Sequence, residues 1–285
     1  MDIIQYGNLI HILSILLLLA LTILTLLILK NRQDKTKKTV IFILMFLNLI
    51  QHLLKSYVWY PLYHGQGFTI ISTAYNMCAL LIIMSPLLFF TNLKPLKEAT
   101  AYFGVFSGLL SIAVPYWFIG KSILTWEYLR FYTCHTLLFM TSILSFLIFK
   151  PKFKNFFFYG LIFIFFEFLI SLNNGLYRYY VYKQDYKTLL EALYNGNPVW
   201  SMHPPKEFPL YGKIIDTIVP SFIRMKNETQ YRPILYNAIP LYIIITFFGL
   251  VGNSLLSDRK AERYLNAHKQ KYRGKEITSG NVFIR

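Results

Sequence analysis

Charge is scarce in this chain, and acid is scarcest. Only 15% of its 285 residues are charged, with 13 Asp and Glu against 29 Lys and Arg. A soluble domain usually carries about 25% charged residues, so this composition argues against a water-exposed globule. Cysteine is nearly absent as well, at two. Cys78 and Cys134 both fall inside apolar runs, where thiols are mostly small apolar fillers. They give no zinc-type spacing and no oxidised framework, and a bridge between them stays open. No heptads, sequence repeats or low-complexity segments stand out. A cleavable leader is not expected either: Asp2 and no Lys or Arg precede the first apolar run, that run is too long, and no A-x-A site follows it.

What the chain has instead is apolar length. It is 55% hydrophobic and 18% aromatic, with a mean hydropathy of +0.43. A bilayer span needs roughly 20 apolar residues, because the hydrocarbon core is about 30 Å thick and a helix rises about 1.5 Å per residue. Seven stretches qualify: Leu9–Leu29, Thr39–Tyr60, Phe68–Thr91, Thr100–Gly120, Glu127–Phe149, Asn155–Asn174 and Ile234–Leu256. The fold class expected is therefore all-α, a polytopic bundle of seven transmembrane helices over residues 1–256. Pro86 in span three and Pro115 in span four are possible kinks, tolerated where neighbouring helices re-satisfy the backbone.

The +16 formal charge sits between these runs and in a tail. It reads as topology signal and lipid contact rather than as a nucleic-acid surface. Lys30, Arg32, Lys35, Lys37 and Lys38 follow span one, Lys94 and Lys97 follow span three, and Lys150, Lys152 and Lys154 follow span five. Residues 257–285 form a basic tail. The amino terminus and the loop after span two carry no Lys or Arg. The positive-inside rule then sets the amino terminus outside and the carboxyl terminus in the cytoplasm of a cell-membrane protein. The long outer segment 176–233 carries basic residues against that trend, but long loops count less.

Polar residues inside the spans carry the functional signal. An Asp, Lys or Arg at mid-helix costs about 2.5–3.5 kcal/mol on insertion scales, and such groups usually face the bundle interior or a wet cavity. With alternating helix directions, His52, Cys78, His135 and Glu167 fall at similar depth toward the outer face, about ten residues into the third span for Cys78. Lys55, Asn76, Asn173 and Asn174 lie in the same layer. Each has a bland reading: a lone histidine packs, Lys55 snorkels to the interface, and Glu127 with Arg130 makes a local surface pair. Glu167 has only apolar neighbours in Phe163–Ile170 and resists one. A Cys–His pair has a specific logic, since an imidazole can take the thiol proton and leave a thiolate nucleophile able to hold an acyl group. Cys134, adjacent to His135 in sequence, points about 100° away around the helix and is the poorer partner.

The ordered set of features resembles the YwaF-type bacterial integral membrane proteins, related to the eukaryotic transmembrane protein 164 family. It comprises Gln51-His52 leading to Trp59-Tyr60, Asn76-Met77-Cys78, Arg130-Phe131-Tyr132 before Cys134-His135, Asn173-Asn174 with Tyr177, Leu189-Leu190, and Asn197-Pro198-Val199-Trp200. The resemblance implies seven helices and, from the eukaryotic branch, phospholipid acyl transfer. The cysteine takes the acyl group and the histidine assists, and those roles fall on Cys78 and His135. Bacterial relatives often have histidine where this chain has Asn76, and Ser201–Arg232 is inserted here. In the outer segment, Leu189, Leu190 and Leu193 share a helical stripe, read as an interfacial helix on the headgroups or as a lid.

Three function classes follow. One is a cysteine-dependent lipid acyltransferase with membrane lipids as partners and no cofactor or metal. Another is a transporter or ligand-binding membrane protein, although no inverted repeat stands out. The last is a scaffold whose polar groups only cross-link helices. Ile234–Leu256 has no lysine, which excludes a retinal Schiff base there. Substrate and oligomeric state are not legible.

Overall fold

The computed structural model describes residues 3–55, 70–115, 118–149, 156–181 and 187–196, with the single positions 217, 242, 243 and 246. The described residues are helical: α1 (Leu9–Lys30), α2 (Asp34–Leu53), a 3₁₀ turn (Ile70–Ser72), α3 (Met77–Phe89), α4 (Lys94–Ala113), α5 (Trp126–Phe149), α6 (Phe156–Leu176) running on into a π turn (Tyr177–Val181), and α7 (Leu189–Gly196). Among them the sole β feature is an isolated bridge between Ile3 and Ser122. Among the described residues three helices are long and apolar enough to cross a membrane, Leu9–Lys30, Trp126–Phe149 and Phe158–Val181, while α3 is apolar but short. Nearly all of Ile234–Leu256, the 201–232 insertion and the whole 257–285 tail lie outside the described residues.

Helix α1 shows what solvent the fold is built for. Its start is fixed by Asn8, whose side chain accepts from the His11 N–H at 2.9 Å, and Lys30 occupies its last turn, where a cation complements the helix dipole. Between them it buries only His11, Leu18, Thr22 and Leu29. Leucines and isoleucines cover the rest of its surface, facing outward. In water each would forfeit the favourable burial of an apolar side chain, about 1.5–3 kcal/mol; in lipid they are matched to their surroundings.

Several boundaries differ from the sequence expectation. Helix α2 begins at Asp34, so Lys35, Lys37 and Lys38 lie in its first turns rather than in a loop; Lys37 pairs with Asp34 at 3.2 Å. Helix α3 begins at Met77, not near Phe68, because residues 70–76 form a tight turn and an extended entry capped by Asn76. Helix α4 begins at Lys94 and ends at Ala113. Pro115 therefore follows the helix instead of kinking it: proline disfavours helical geometry in the residue before it. Pro86 does lie inside α3. Helix α6 continues past Asn174, which places both asparagines within the helix.

The bundle has two ends. At one, Leu29, Ile41, Met45, Phe89, Met140 and Leu144 pack together with Phe149, joining the end of α1, the start of α2, and the ends of α3 and α5. At the other, Ile4, Phe118 and Tyr128 form a smaller cluster, closed by a turn in which the Gly120 N–H donates to Ile4 O at 2.8 Å and Gly120 adopts φ 81°, a conformation that favours glycine. The central core packs Leu80 and Leu81 of α3, Ala99 and Phe103 of α4, Cys134 and Leu138 of α5, and Tyr159, Phe166 and Ile170 of α6.

Helices α4 and α5 approach most closely at Gly104 and Gly108. A Cβ on Gly108 would lie 2.8 Å from the Phe139 backbone nitrogen and 2.9 Å from His135 O. Small residues four apart are how membrane helices bring backbones together. Glu98, fully buried near the start of α4, accepts a hydrogen bond from Tyr159 Oη on α6 at 2.7 Å; its other oxygen lies 3.7 Å from Lys94 Nζ. A buried carboxylate is tolerable when it is so partnered.

Candidate functional site

The polar residues converge on the short entry to α3. His52 and Lys55 reach it from the end of α2. The His52 Nε2–H donates to Thr73 O at 3.2 Å. Lys55 Nζ donates to Tyr75 Oη at 2.8 Å and lies 4.4 Å from the centroid of that ring. Asn173 and Asn174 reach it from α6. Asn173 Nδ2 donates to Thr73 Oγ1 at 2.8 Å, and Asn174 Nδ2 to Tyr75 O at 2.9 Å and to Ile170 O at 2.8 Å. Asn76 then caps α3, accepting from the Ala79 N–H at 2.8 Å. The entry is thus stitched to α2 on one side and α6 on the other. Buried polar atoms of this kind must find partners, and segment 73–76 supplies them.

Two bland expectations are corrected. Lys55 does not snorkel: it is 5% exposed and bonded to Tyr75, within the protein. Glu127 and Arg130 do not form a surface pair: Glu127 lies 3.8 Å from Lys121, and Arg130 is 7% exposed. Lys55 and Arg130 are near enough to each other, and to Cys134, for their charges to interact; Lys55 also reaches Cys78 in this sense. Gln51 ties the two helices together, donating to Thr133 Oγ1 at 2.7 Å. His11, by contrast, is structural. Its Nδ1 accepts from the Gly7 N–H at 3.0 Å and its Nε2–H donates to Ile112 O at 3.2 Å.

Cys78 is the second residue of α3, not one midway along a span. It stands in the first turn, where unpaired backbone N–H groups favour negative charge. The thiol is half-buried. It points at α4, with Sγ 3.4 Å from Ser111 Oγ and 3.8 Å from Ser107 O. Cys134, 3% exposed, is packed into the central core. His135 stands on α5, its ring centroid 4.3 Å from that of Phe131. Its Nδ1 lies 2.7 Å from Phe131 O. A carbonyl can only accept, so Nδ1 carries the proton and Nε2 the lone pair. That is the tautomer of a base.

The thiol and the imidazole are not hydrogen-bonded to each other; each has the partners just given. The stretch of α4 that meets the Cys78 thiol through Ser107 and Ser111 also meets the His135 backbone through Gly108. Glu167 shares the buried face of α6 with Ile170, Ser171 and Asn174. It is 1% exposed, and its Oε2 has no hydrogen-bond partner. Among the described residues no group of three His, Cys, Asp or Glu could hold a metal ion. A small cavity of about 10 Å³, room for one water, lies at the other end of the bundle among Ser85, Lys97, Thr100 and Ser145.

Sequence reasoning missed Thr73, Tyr75, Ser107 and Ser111. The last two had a signal: they are hydroxyls four apart, set beside glycines four apart, in the otherwise apolar second half of the helix.

Lipid-facing helices around a buried layer of charged, amide and imidazole groups define a helical integral membrane protein. The model of the TMEM164 family matches residues 5–206, well over half the chain, and the chain belongs to that family. Neither a curated protein nor a solved structure matches it.

Proposed function

We propose that this protein is a seven-span enzyme of the cell membrane that moves acyl chains between phospholipids through a thioester on Cys78. The observation that carries the reading is the placement of Cys78. It is a half-buried thiol in the first turn of a helix whose entry is held by polar contacts from α2 and α6. The thiolate attacks the ester carbonyl of a donor phospholipid. A C–S bond forms, the ester C–O bond breaks, and the departing lysophospholipid oxygen takes a proton. A second lysophospholipid hydroxyl then attacks the thioester and restores the thiol. His135 serves as the base at Nε2. It reaches the sulfur by leaving Phe131 O or through a bridging water, since catalytic contacts often tighten only when substrate is bound. Glu167 balances charge in the layer.

Orientation follows the basic residues. Lys30 ends α1, Arg32 lies between α1 and α2, Lys35 is in the first turn of α2, and Lys94 and Lys97 open α4. Both groups fall at the bundle end built on Leu29, Ile41 and Phe89, which is the end expected on the cytoplasmic side. The amino terminus is then outside, and the site opens toward the outer leaflet.

The test is reconstitution into liposomes containing phospholipid labelled in its acyl chain. Wild type acquires label that hydroxylamine releases, and Cys78→Ala does not. Unlabelled wild type, or equal turnover by Cys78→Ala, rejects the reading. One feature favours a second reading, a solute-binding protein or transporter: the buried, unpartnered Oε2 of Glu167. Solute uptake by proteoliposomes that survives Cys78→Ala would select it.

A further inference from the structure

The geometry points to Ser111 as the positioning residue of the Cys78 thiol: its hydroxyl donates to the sulfur and holds the thiolate after the proton has gone. Ser107 O, 3.8 Å from Sγ, can only accept, so the S–H is directed to that carbonyl. The sulfur's own acceptor capacity is then met by Ser111 Oγ at 3.4 Å. When the thiol ionises, the contact with the Ser107 carbonyl is lost. The contact with Ser111 strengthens, because a hydrogen bond to a charged group is roughly twice as strong as a neutral one. Ser111 keeps its own proton throughout.

Helical arithmetic places this hydroxyl between the helices that matter. Gly108 marks the line along which α4 touches α5 at His135 and Phe139. At about 100° per residue, Ser107 lies about 100° and Ser111 about 60° to the same side of that line. That is the side from which Cys78 of α3 approaches. Ser111 therefore stands in the crevice between the thiol's helix and the imidazole's. The other titratable groups near enough to interact with the sulfur are Lys55 on α2 and Cys134 on α5; neither is hydrogen-bonded to it.

The inference deepens the acyl-transfer reading, but its test needs no acyl donor. Full-length protein in detergent micelles is treated with methyl methanethiosulfonate at neutral pH, and modification of Cys78 is followed by peptide mass. The thiolate attacks the sulfenyl sulfur, an S–S bond forms, and methanesulfinate leaves. Ser111→Ala slows modification of Cys78 about tenfold, the loss of one charge-assisted hydrogen bond. Ser111→Thr, which keeps the hydroxyl, stays within about twofold of wild type, and its isostere Ser111→Val behaves like Ser111→Ala. Should Ser111→Ala fail to fold, the Thr and Val pair decides. A Val variant that reacts at the wild-type rate, or a Thr variant slowed as much as Val, overturns the role. Acyl labelling of wild-type Cys78 is scored separately. A slowed Ser111→Val with no acyl label leaves Ser111 as a thiol-tuning residue and rejects the transferase.

Discussion

Gly108→Ala sets two effects of known size against each other. Replacing glycine by alanine inside a helix is favourable by about 1 kcal/mol when nothing opposes it. Here the new Cβ would lie 2.8 Å from both the backbone nitrogen and the Cβ of Phe139, and 2.9 Å from His135 O. Ordinary contact needs about 3.4 Å or more, so α4 and α5 must separate by about half an ångström. The obstacle is helix backbone and cannot rotate away. Overpacking of this kind costs about 1–3 kcal/mol, and this seam sits at the upper end because no side chain can yield. The net is destabilisation of about 1–2 kcal/mol, a drop of about 4 °C in Tm at the usual scaling. Gly104 is the internal control. A Cβ there meets mainly the Ser142 hydroxyl, which an alanine at 142 would remove. Thermal unfolding in detergent should show Gly104→Ala substantially relieved by Ser142→Ala, and Gly108→Ala relieved by no side-chain deletion on α5. A Gly108→Ala protein as stable as wild type would refute the close-seam argument.

Other outcomes follow from single contacts. Tyr159→Phe removes the 2.7 Å hydrogen bond to buried Glu98 and should cost about 1.5–3 kcal/mol in the same assay; an unchanged Tm would show that Glu98 is satisfied elsewhere. Asn174→Leu removes the 2.9 Å hydrogen bond to Tyr75 O. It should destabilise by about 1–3 kcal/mol and loosen the entry to α3, read as faster proteolysis at that segment. Cys78 should react with a small thiol reagent in the folded protein while Cys134, 3% exposed, reacts only after denaturation. Equal reactivity of the two would contradict the packing of Cys134 in the central core.

The apolar runs made the class legible, and where a helix is simply a long apolar rod its limits were legible too. Leu9–Leu29 and Glu127–Phe149 match α1 and α5 to within a residue. Elsewhere the reading slipped because hydropathy does not distinguish a helix from an apolar turn. Residues 70–76 are apolar enough to extend span three, yet Thr73, Tyr75 and Asn76 use their polar groups to end the turn and cap α3. Lys94 and Lys97 look like loop, but both are held within the helix start: Lys94 lies 3.7 Å from Glu98 one turn on, and Lys97 lies over the Phe149 ring. At the site, the residues that hold their neighbours in place were legible as polar groups in apolar runs. Which of them touch was not, because the facing direction of α4 depends on the glycine seam. Once Gly104 and Gly108 set that face, Ser107 and Ser111 must turn toward α3.

The register of α3 changes what kind of thiol Cys78 is. Ten residues into a span, it would be surrounded by apolar side chains and could ionise only beside its base, so the case for chemistry would depend on contact with His135. In the first turn, three polar groups lie near the sulfur without that contact: the N–H groups of the helix start, the Ser111 hydroxyl at 3.4 Å, and the Lys55 side chain within interaction range. On the acyl-transfer reading, the imidazole then carries a proton rather than creating the nucleophile. This division of labour makes the two substitutions separable. On that reading, Cys78→Ala removes the acyl acceptor outright. His135→Ala leaves a thiol that still reacts with methyl methanethiosulfonate but transfers acyl groups slowly, by about 10²–10⁴-fold for a lost general base. A His135→Ala protein that loses reagent reactivity as completely as it loses transfer would show that the sulfur depends on the imidazole after all, and would return the site to a simple Cys–His pair.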